Sequence, residues 1–298
     1  MPQNDGHTLV ARTTLSASEL TAIQQLAELC KRYENLRMRW SWDELRQQVN
    51  AANNDFLYYA DDKLVGYVHL YDDFSGEYEL AGMVHPDYRR RGIFQALLRK
   101  AREEHADAKR FILVCEEGSG SGQAMLAQLG ATLSFAEHEM QLEHFRESST
   151  FDDRLTFKPA EFDDLDVIAT ILSRSFGQDE TIFRKRLEQR FKNPHQRYYI
   201  ATFGEESVGC EEPVGCLRLD DADGEFGIYS VGVVPDYRGR GYGRQMMEEI
   251  IRTVRASSQK TIMLDVDTTN TPAISLYTSC GFRTRATHGY YEISAQKG

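Results

Sequence analysis

Between Val231 and Gly243 the sequence VGVVPDYRGRGYG sets Gly239, Gly241 and Gly243 among Arg238 and Arg240, with Arg244 next, just ahead of an apolar helical pattern. An extended segment that enters such a turn and opens a helix leaves several backbone N–H groups unpaired and aimed one way. With the helix dipole behind them, those donors suit an anion, a pyrophosphate above all. Two familiar phosphate loops do not fit: the turn does not end in Gly-Lys-Ser/Thr, and the third glycine of a dinucleotide fingerprint falls on Arg244. Further on stand Asn270, Tyr277 and Cys280. A phenol keeps its proton at neutral pH yet can share it with a thiolate. Cys280 has no histidine partner in sequence and reads as a packing cysteine rather than a nucleophile.

The spacing V-x-V-x-P-x-x-R-x-x-G-x-G, carried by Val231, Val233, Pro235, Arg238, Gly241 and Gly243, resembles the coenzyme A pyrophosphate loop of the GNAT superfamily of N-acetyltransferases. NTPAISLYTSCGF, from Asn270 to Phe282, resembles that family's downstream motif. The resemblance implies acetyl-CoA as acyl donor, bound by Val231, Val233, Arg238, Gly239, Arg240, Gly241, Tyr242, Gly243 and Asn270. It implies support for the oxyanion from the strand amides near Val233, and Tyr277 as the acid that protonates the coenzyme A sulfur. Glu225 is the implied base acting through water, with Asp265 as the alternative. Plainer readings stand beside these: Tyr277 packed under the sheet, Asn270 as a helix N-cap ahead of Pro272, and Glu225 as part of an acidic surface turn. The acceptor would be the primary amine of a small molecule or peptide. The rival reading is a non-catalytic acyl-CoA-binding or scaffold protein of the same fold.

The elements that must position these residues occur twice. Val84–Gly92 (VHPDYRRRG) matches Val233–Gly241 at seven of nine positions with an offset of 149, which also superposes Gly66 on Gly215. A period that long indicates a duplicated domain rather than a solenoid. Each half reads as a strand (TLVARTT, LTFKPA), an amphipathic helix, paired strands, the Gly/Arg turn, and a helix with i, i+3, i+4, i+7 apolar spacing. Phe94, Leu97, Leu98 and Ala101 mark that last helix in the first half, and Met247, Ile250, Ile251 and Val254 in the second. A strand, a short helix and closing strands follow. The expected fold is α/β: two tandem GNAT-like domains, 1–147 and 154–298, each a mixed, mostly antiparallel sheet flanked by helices, with one splayed parallel pair. The arrangement is similar to that of the mycothiol synthases. EHFRESSTFDDR between them reads as a linker around Ser148 to Asp153.

The first half departs from the motif. Phe94 stands where the second half has Gly243, Leu126 where it has Tyr277, and Ser119 where it has Asn270. Leucine donates no proton, so this half reads as a non-catalytic copy. YENLRMRWSWDELR reads as a packed amphipathic helix whose Trp40 and Trp42 could line a cleft. The formal net charge of −11 disfavours nucleic acid and anionic membranes. Five cysteines without a C-x-x-C argue for reduced thiols and against zinc. With no signal organisation and no apolar run of spanning length, the sequence suggests a cytoplasmic protein, and a homodimer is among the assemblies it allows.

Overall fold

A computed structural model describes residues 6–38, 40–47, 52–72, 76–148, 151–205 and 210–293. The chain divides into two compact units that do not coincide with the sequence halves: unit 1 is Met1–Ala136 with Ala286–Gly298, and unit 2 is Glu137–Arg285.

Unit 1 contains β1 (His7–Arg12), α1 (Ala17–Glu34), α2 (Trp42–Gln47), β2 (Asp55–Ala60), β3 (Lys63–Asp72), β4 (Glu77–Val84), α3 (Ile93–Glu104), β5 (Arg110–Glu116) and α4 (Gly120–Leu129). β6 (Thr132–Leu142) leaves it for unit 2. There follow β7 (Leu155–Pro159), α5 (Leu165–Phe176), α6 (Glu180–Arg190), β8 (Gln196–Glu205), β9 (Cys210–Ala222), β10 (Glu225–Val233), α7 (Tyr242–Ser257), β11 (Thr261–Asp267) and α8 (Thr271–Cys280). β12 (Phe282–Ile293) then returns to unit 1. In each unit one pair is parallel, β4 with β5 and β10 with β11, and the other described pairings are antiparallel.

Local chemistry accounts for the helices. α1 opens on a capping box, Ser16 accepting from the Glu19 amide while Glu19 accepts from the Ser16 amide. It buries Ile23, Leu26, Ala27 and Cys30 and ends at Asn35, a left-handed residue (φ 55°). The helix expected across YENLRMRWSWDELR is therefore broken there, α2 starting only at Trp42; Arg39 lies outside the described residues. α7 buries Met246, Met247, Ile250, Ile251 and Val254, each contributing about 1.5–3 kcal/mol. The repeated glycine of β3 and β9 is a steric requirement. A Cβ on Gly66 would lie 2.7 Å from Ile93 Cγ2, and one on Gly215 2.9 Å from Met246 Sδ. Only a bare backbone lets the helix after the Gly/Arg turn press on the sheet.

The exchange of closing strands is the main departure from a simple duplication. Ile293 to His288 of β12 pair antiparallel with Phe111 to Glu116 of β5, completing the sheet of unit 1. Glu137 to Gln141 of β6 pair with Asp267 to Met263 of β11, completing that of unit 2. Nor is the expected linker a free tether. Within unit 2 the Ser148 amide donates to Glu248, the Asp152 amide donates to Gln245, and Gln245 Nε2 donates to the Asp152 carbonyl. Ser149 and Thr150 lie outside the described residues.

A chain ending at Arg285 lacks the strand that covers β5. We expect its β5 amides to lose hydrogen-exchange protection, and a chain starting at Asp153, whose β11 edge is bare, to aggregate. Full β5 protection in the shortened chain would contradict the exchange.

Candidate active site

In unit 2, β10 and β11 are hydrogen-bonded only from Glu225–Thr261 to Ile228–Leu264. β10 then runs on to Val233 and β11 to Asp267 with no further pairing between them, so the two strands splay. A bulge reinforces the divergence: Tyr229 pairs with Arg218 and Gly232 with Cys216, leaving one extra residue on β10, and Ser230 is left-handed (φ 53°). Val231 and Val233, two of the expected cofactor-binding residues, lie on this free stretch and are half-buried. The bulge was not anticipated, although Gly227 and Gly232 within a strand were a sequence signal for one.

The Gly/Arg turn follows. Pro235–Tyr237 make a single 3-10 turn, Gly239 (φ 75°) and Gly241 (φ 87°) are left-handed, and Gly241 caps α7 with no side-chain hydrogen bond. The first helical bond runs from the Gln245 amide to the Gly241 carbonyl. Among the described residues, the amides from Gly239 to Arg244 donate to no protein acceptor, which is the donor array the sequence suggested. The Arg238 amide, expected in that array, donates instead to the Pro235 carbonyl (3.2 Å), and the side chains of Arg238 and Arg240 are engaged within the protein. Arg238 donates to the carbonyls of Val233 (2.9 Å) and Ser175 (2.7 Å), tying the turn to the end of β10 and to α5. Arg240 donates to the Asp236 carbonyl (2.9 Å) and lies over the Tyr237 ring. They brace the turn and leave its backbone amides unpaired. Tyr242 is buried and donates to Asp152.

On α8, the Asn270 side chain accepts from the Ala273 amide (3.3 Å), so its oxygen caps the helix. Tyr277 is buried, its ring edge-on to Phe282, and its hydroxyl donates to no protein group among the described residues. Burial pushes its phenol well up, so the proton is held throughout the neutral range. Cys280 is fully buried, as a packing cysteine should be, and burial raises its thiol too. Glu225 stands at the start of β10, eight residues before Val233 and about 26 Å from it at strand rise. The tertiary structure thus does not bring Glu225 to the splay, because the strand carries it to the opposite end of the sheet. Asp265, one residue past the last β10–β11 pair, does lie where the strands part.

Unit 1 reproduces the turn in detail. Arg89 donates to the Val84 carbonyl (3.1 Å) and to Glu34 (3.0 Å), and Arg91 donates to the Asp87 carbonyl (2.8 Å) and lies over Tyr88. Arg90 takes the left-handed conformation of Gly239 (φ 61°) and Gly92 that of Gly241 (φ 76°). β4 and β5 part after Leu80–Leu113. The differences lie around the turn. The β3–β4 register runs unbroken from Gly66–Val84 to Asp72–Tyr78, so there is no bulge. Leu126 is buried, and the Phe94 ring fills the space above Gly82, where a Cβ would meet it at 2.8 Å. This unit nevertheless holds a cavity of about 1020 Å³, lined among others by Trp40, Met83, Arg89, Phe94, Cys115 and Glu116. Glu34 spans one side of it, accepting from Arg89 and from the Ser121 amide (2.8 Å) and hydroxyl (2.7 Å). Cys115 is a neutral thiol, pushed up to about 11 by burial and then by Glu116 and Glu34. The smaller cavity of unit 2, about 460 Å³, lies beside the turn against Ser148, Asp152 and Arg154.

A splayed parallel pair, an uncapped Gly/Arg turn and a helix behind it, present twice, define one known arrangement. The acetyltransferase (GNAT) family model matches residues 20–131 and again 165–282. The chain belongs to the GNAT acetyltransferase family. The N-alpha-acetyltransferase RimI of Mycobacterium tuberculosis is 35% identical over 104 residues, 34% of this chain and 62% of that protein's length. The mycothiol acetyltransferase of Acidothermus cellulolyticus is 28% identical over 306 residues, covering 93% of this chain and 88% of the relative. Among solved structures, a GCN5-related N-acetyltransferase from Sphaerobacter thermophilus shares the fold with a TM-score of 0.78, 19% identity, and coverage of 97% of this chain and 95% of that one. Among the described residues no group of His, Cys, Asp and Glu is gathered that could hold a metal ion, and no helix is long and apolar enough to cross a membrane.

Arg90 accepts a conformation that costs an L-residue about 1 kcal/mol or more and that Gly239 adopts freely. Arg90→Gly should therefore stabilise unit 1 by up to about 1 kcal/mol in urea unfolding, because the added chain entropy of glycine offsets only part of the relief. A destabilised variant would show that the Arg90 side chain holds the turn.

Proposed function

We propose that unit 2 transfers an acetyl group from acetyl-CoA to the primary amine of a small molecule or peptide. The observation that carries this reading is the run of unpaired amides from Gly239 to Arg244 at the mouth of the β10–β11 splay. Those donors, with the α7 dipole, would hold the pyrophosphate, and the strand amides near Val231 and Val233 that β11 leaves unpaired would support the oxyanion. The amine nitrogen adds to the thioester carbonyl, the carbon–sulfur bond breaks, and the departing thiolate takes the Tyr277 proton. Asp265, just past the last β10–β11 pair, would receive the amine proton through water. The names of the relatives, an N-alpha-acetyltransferase and a mycothiol acetyltransferase, support an amine acceptor of peptide or small-molecule type.

Unit 1 is read as a non-catalytic copy. Leu126 occupies the position of Tyr277 and offers no proton, and β4 lacks the bulge. Its braced turn and its cavity of about 1020 Å³ favour retained binding of an acyl-CoA without turnover.

Gly241→Val should abolish acetyl-CoA binding to unit 2 in calorimetry. No protein atom would obstruct the new Cβ, but φ 87° is closed to a β-branched residue, and the backbone must approach phosphate there. Tyr277→Phe should lower kcat by roughly two orders of magnitude with cofactor affinity intact, measured as thiol release with a panel of amines. An unchanged kcat would assign Tyr277 to the core alone.

A further inference from the structure

On one face of the unit 2 sheet, cross-strand pairing brings polar side chains side by side. Tyr198, Arg218 and Tyr229 form one row across β8, β9 and β10, and Gln196, Asp220 and Gly227 form the next. Tyr198, Arg218 and Asp220 are buried. Arg218 donates to Asp220 (2.7 Å) and its guanidinium lies over the Tyr229 ring (4.8 Å), while Gln196 Nε2 donates to the other Asp220 oxygen (3.3 Å). Arg190, the last residue of α6, lies alongside Arg218 and Tyr198.

The charges in this cluster do not balance. Two guanidinium groups face one carboxylate, and among the described residues Arg190 has no carboxylate within ion-pair distance. Burial, and then the neighbouring Arg218, push the Arg190 pKa down from its usual value. The buried Tyr198 oxygen faces the guanidinium groups of Arg190 and Arg218, its own proton has no acceptor, and Gln196 Oε1 is without a donor. A guanidinium has no lone pair to offer, so a phenol O–H set beside two of them finds no acceptor. An excess cation with an orphaned O–H donor is the complement of an anion, and a solely structural cluster would be expected to neutralise itself.

The position of the cluster suggests which anion. Cys216, in line with Arg218 on β9, pairs with Gly232, against which Ser175 of α5 packs. Gly215 faces Met246 of α7 on the other side of the sheet. The cluster is thus on the α5–α6 face, opposite the helix that presents the anion turn, and it begins two β9 residues, about 7 Å, from the residue opposite Gly232 beyond the bulge. We propose that Arg190, Arg218 and Tyr198 recognise a carboxylate carried by the acceptor, so that the preferred substrate is an amine with an acidic group at the other end of a short chain. This rests on the acetyl-transfer reading of unit 2 and adds the acceptor class to it.

The test compares hexylamine with 6-aminohexanoate, whose extended chain spans roughly the distance between cluster and splay. With acetyl-CoA, kcat/KM for the acid should exceed that for the amine at least tenfold, the difference residing in KM. Arg190→Ala and Tyr198→Phe should each bring that ratio down toward one, and Arg190→Lys should retain part of it. Equal kcat/KM for the two amines, or an unaltered ratio in Arg190→Ala, overturns the proposal. A second readout needs no turnover: 6-acetamidohexanoate should raise the melting temperature of the full chain, N-hexylacetamide should not, and Arg190→Ala should lose the shift. If neither amine is acetylated while this shift is seen, the transfer reading fails and the carboxylate site stands. No shift with the acid overturns the site. Tyr198→Phe without ligand should melt close to the parent temperature, since removal of the orphaned donor offsets the loss of an acceptor facing the two guanidinium groups. A marked drop would mean that the hydroxyl serves the fold, and would likewise overturn the proposal.

Discussion

Two neighbouring parallel strands that stop pairing part-way along their length set the terms for the rest of unit 2. Past Ile228 and Leu264 the peptide groups of β10 and β11 no longer satisfy one another. Unpaired backbone groups in a sheet interior are costly unless water or a ligand reaches them. The surrounding parts keep this gap open rather than allow it to zip. The extra residue between Tyr229 and Gly232 turns the β10 peptides away from β11, and Arg238 pins the end of β10 to α5. The turn then hands the chain to α7, whose own first amides are also unpaired. Exposed strand peptides and a helix N-terminus meet at one place because one chain segment supplies both.

Duplication makes the contribution of each part visible. The braces recur to the atom: Arg89 and Arg238 each hold the carbonyl five residues back, and Arg91 and Arg240 the carbonyl four residues back. Even the left-handed position is kept, although in unit 1 an arginine occupies it at some cost. Among the differences are the bulge and the residue at position 126 or 277, both outside the turn itself. The larger of the two cavities lies in the copy that has Leu126 in place of Tyr277.

The exchanged strands explain why a two-domain sequence need not yield two separable pieces. Each sheet receives its closing strand from the other half, so the edges of β5 and β11 are covered only when the whole chain is present. The connecting segment is held in the same spirit. Glu248, buried on α7, is neutralised by Arg244 and Arg252 and accepts from the Ser148 amide, which anchors the segment to the helix that carries the anion turn.

The sequence by itself determined what depends on a residue and its near neighbours. The helices follow from apolar spacing, the ends of α1 from Ser16, Glu19 and Asn35, and the Gly/Arg turn from glycines at positions that need positive φ. The duplication was legible because the same local requirements recur at a fixed offset. Only the tertiary structure decided which strand closes which sheet, since a strand's pattern specifies its faces but not its partner. It also decided that Arg238 and Arg240 spend their donors on carbonyls of the turn and of α5, and that Glu225 is carried away from the splay. The cluster of Arg190, Arg218, Asp220 and Tyr198 was invisible for the same reason. Its members come from three separate elements, and what makes them a site is a charge imbalance that arises only when cross-strand registry and α6 bury them together.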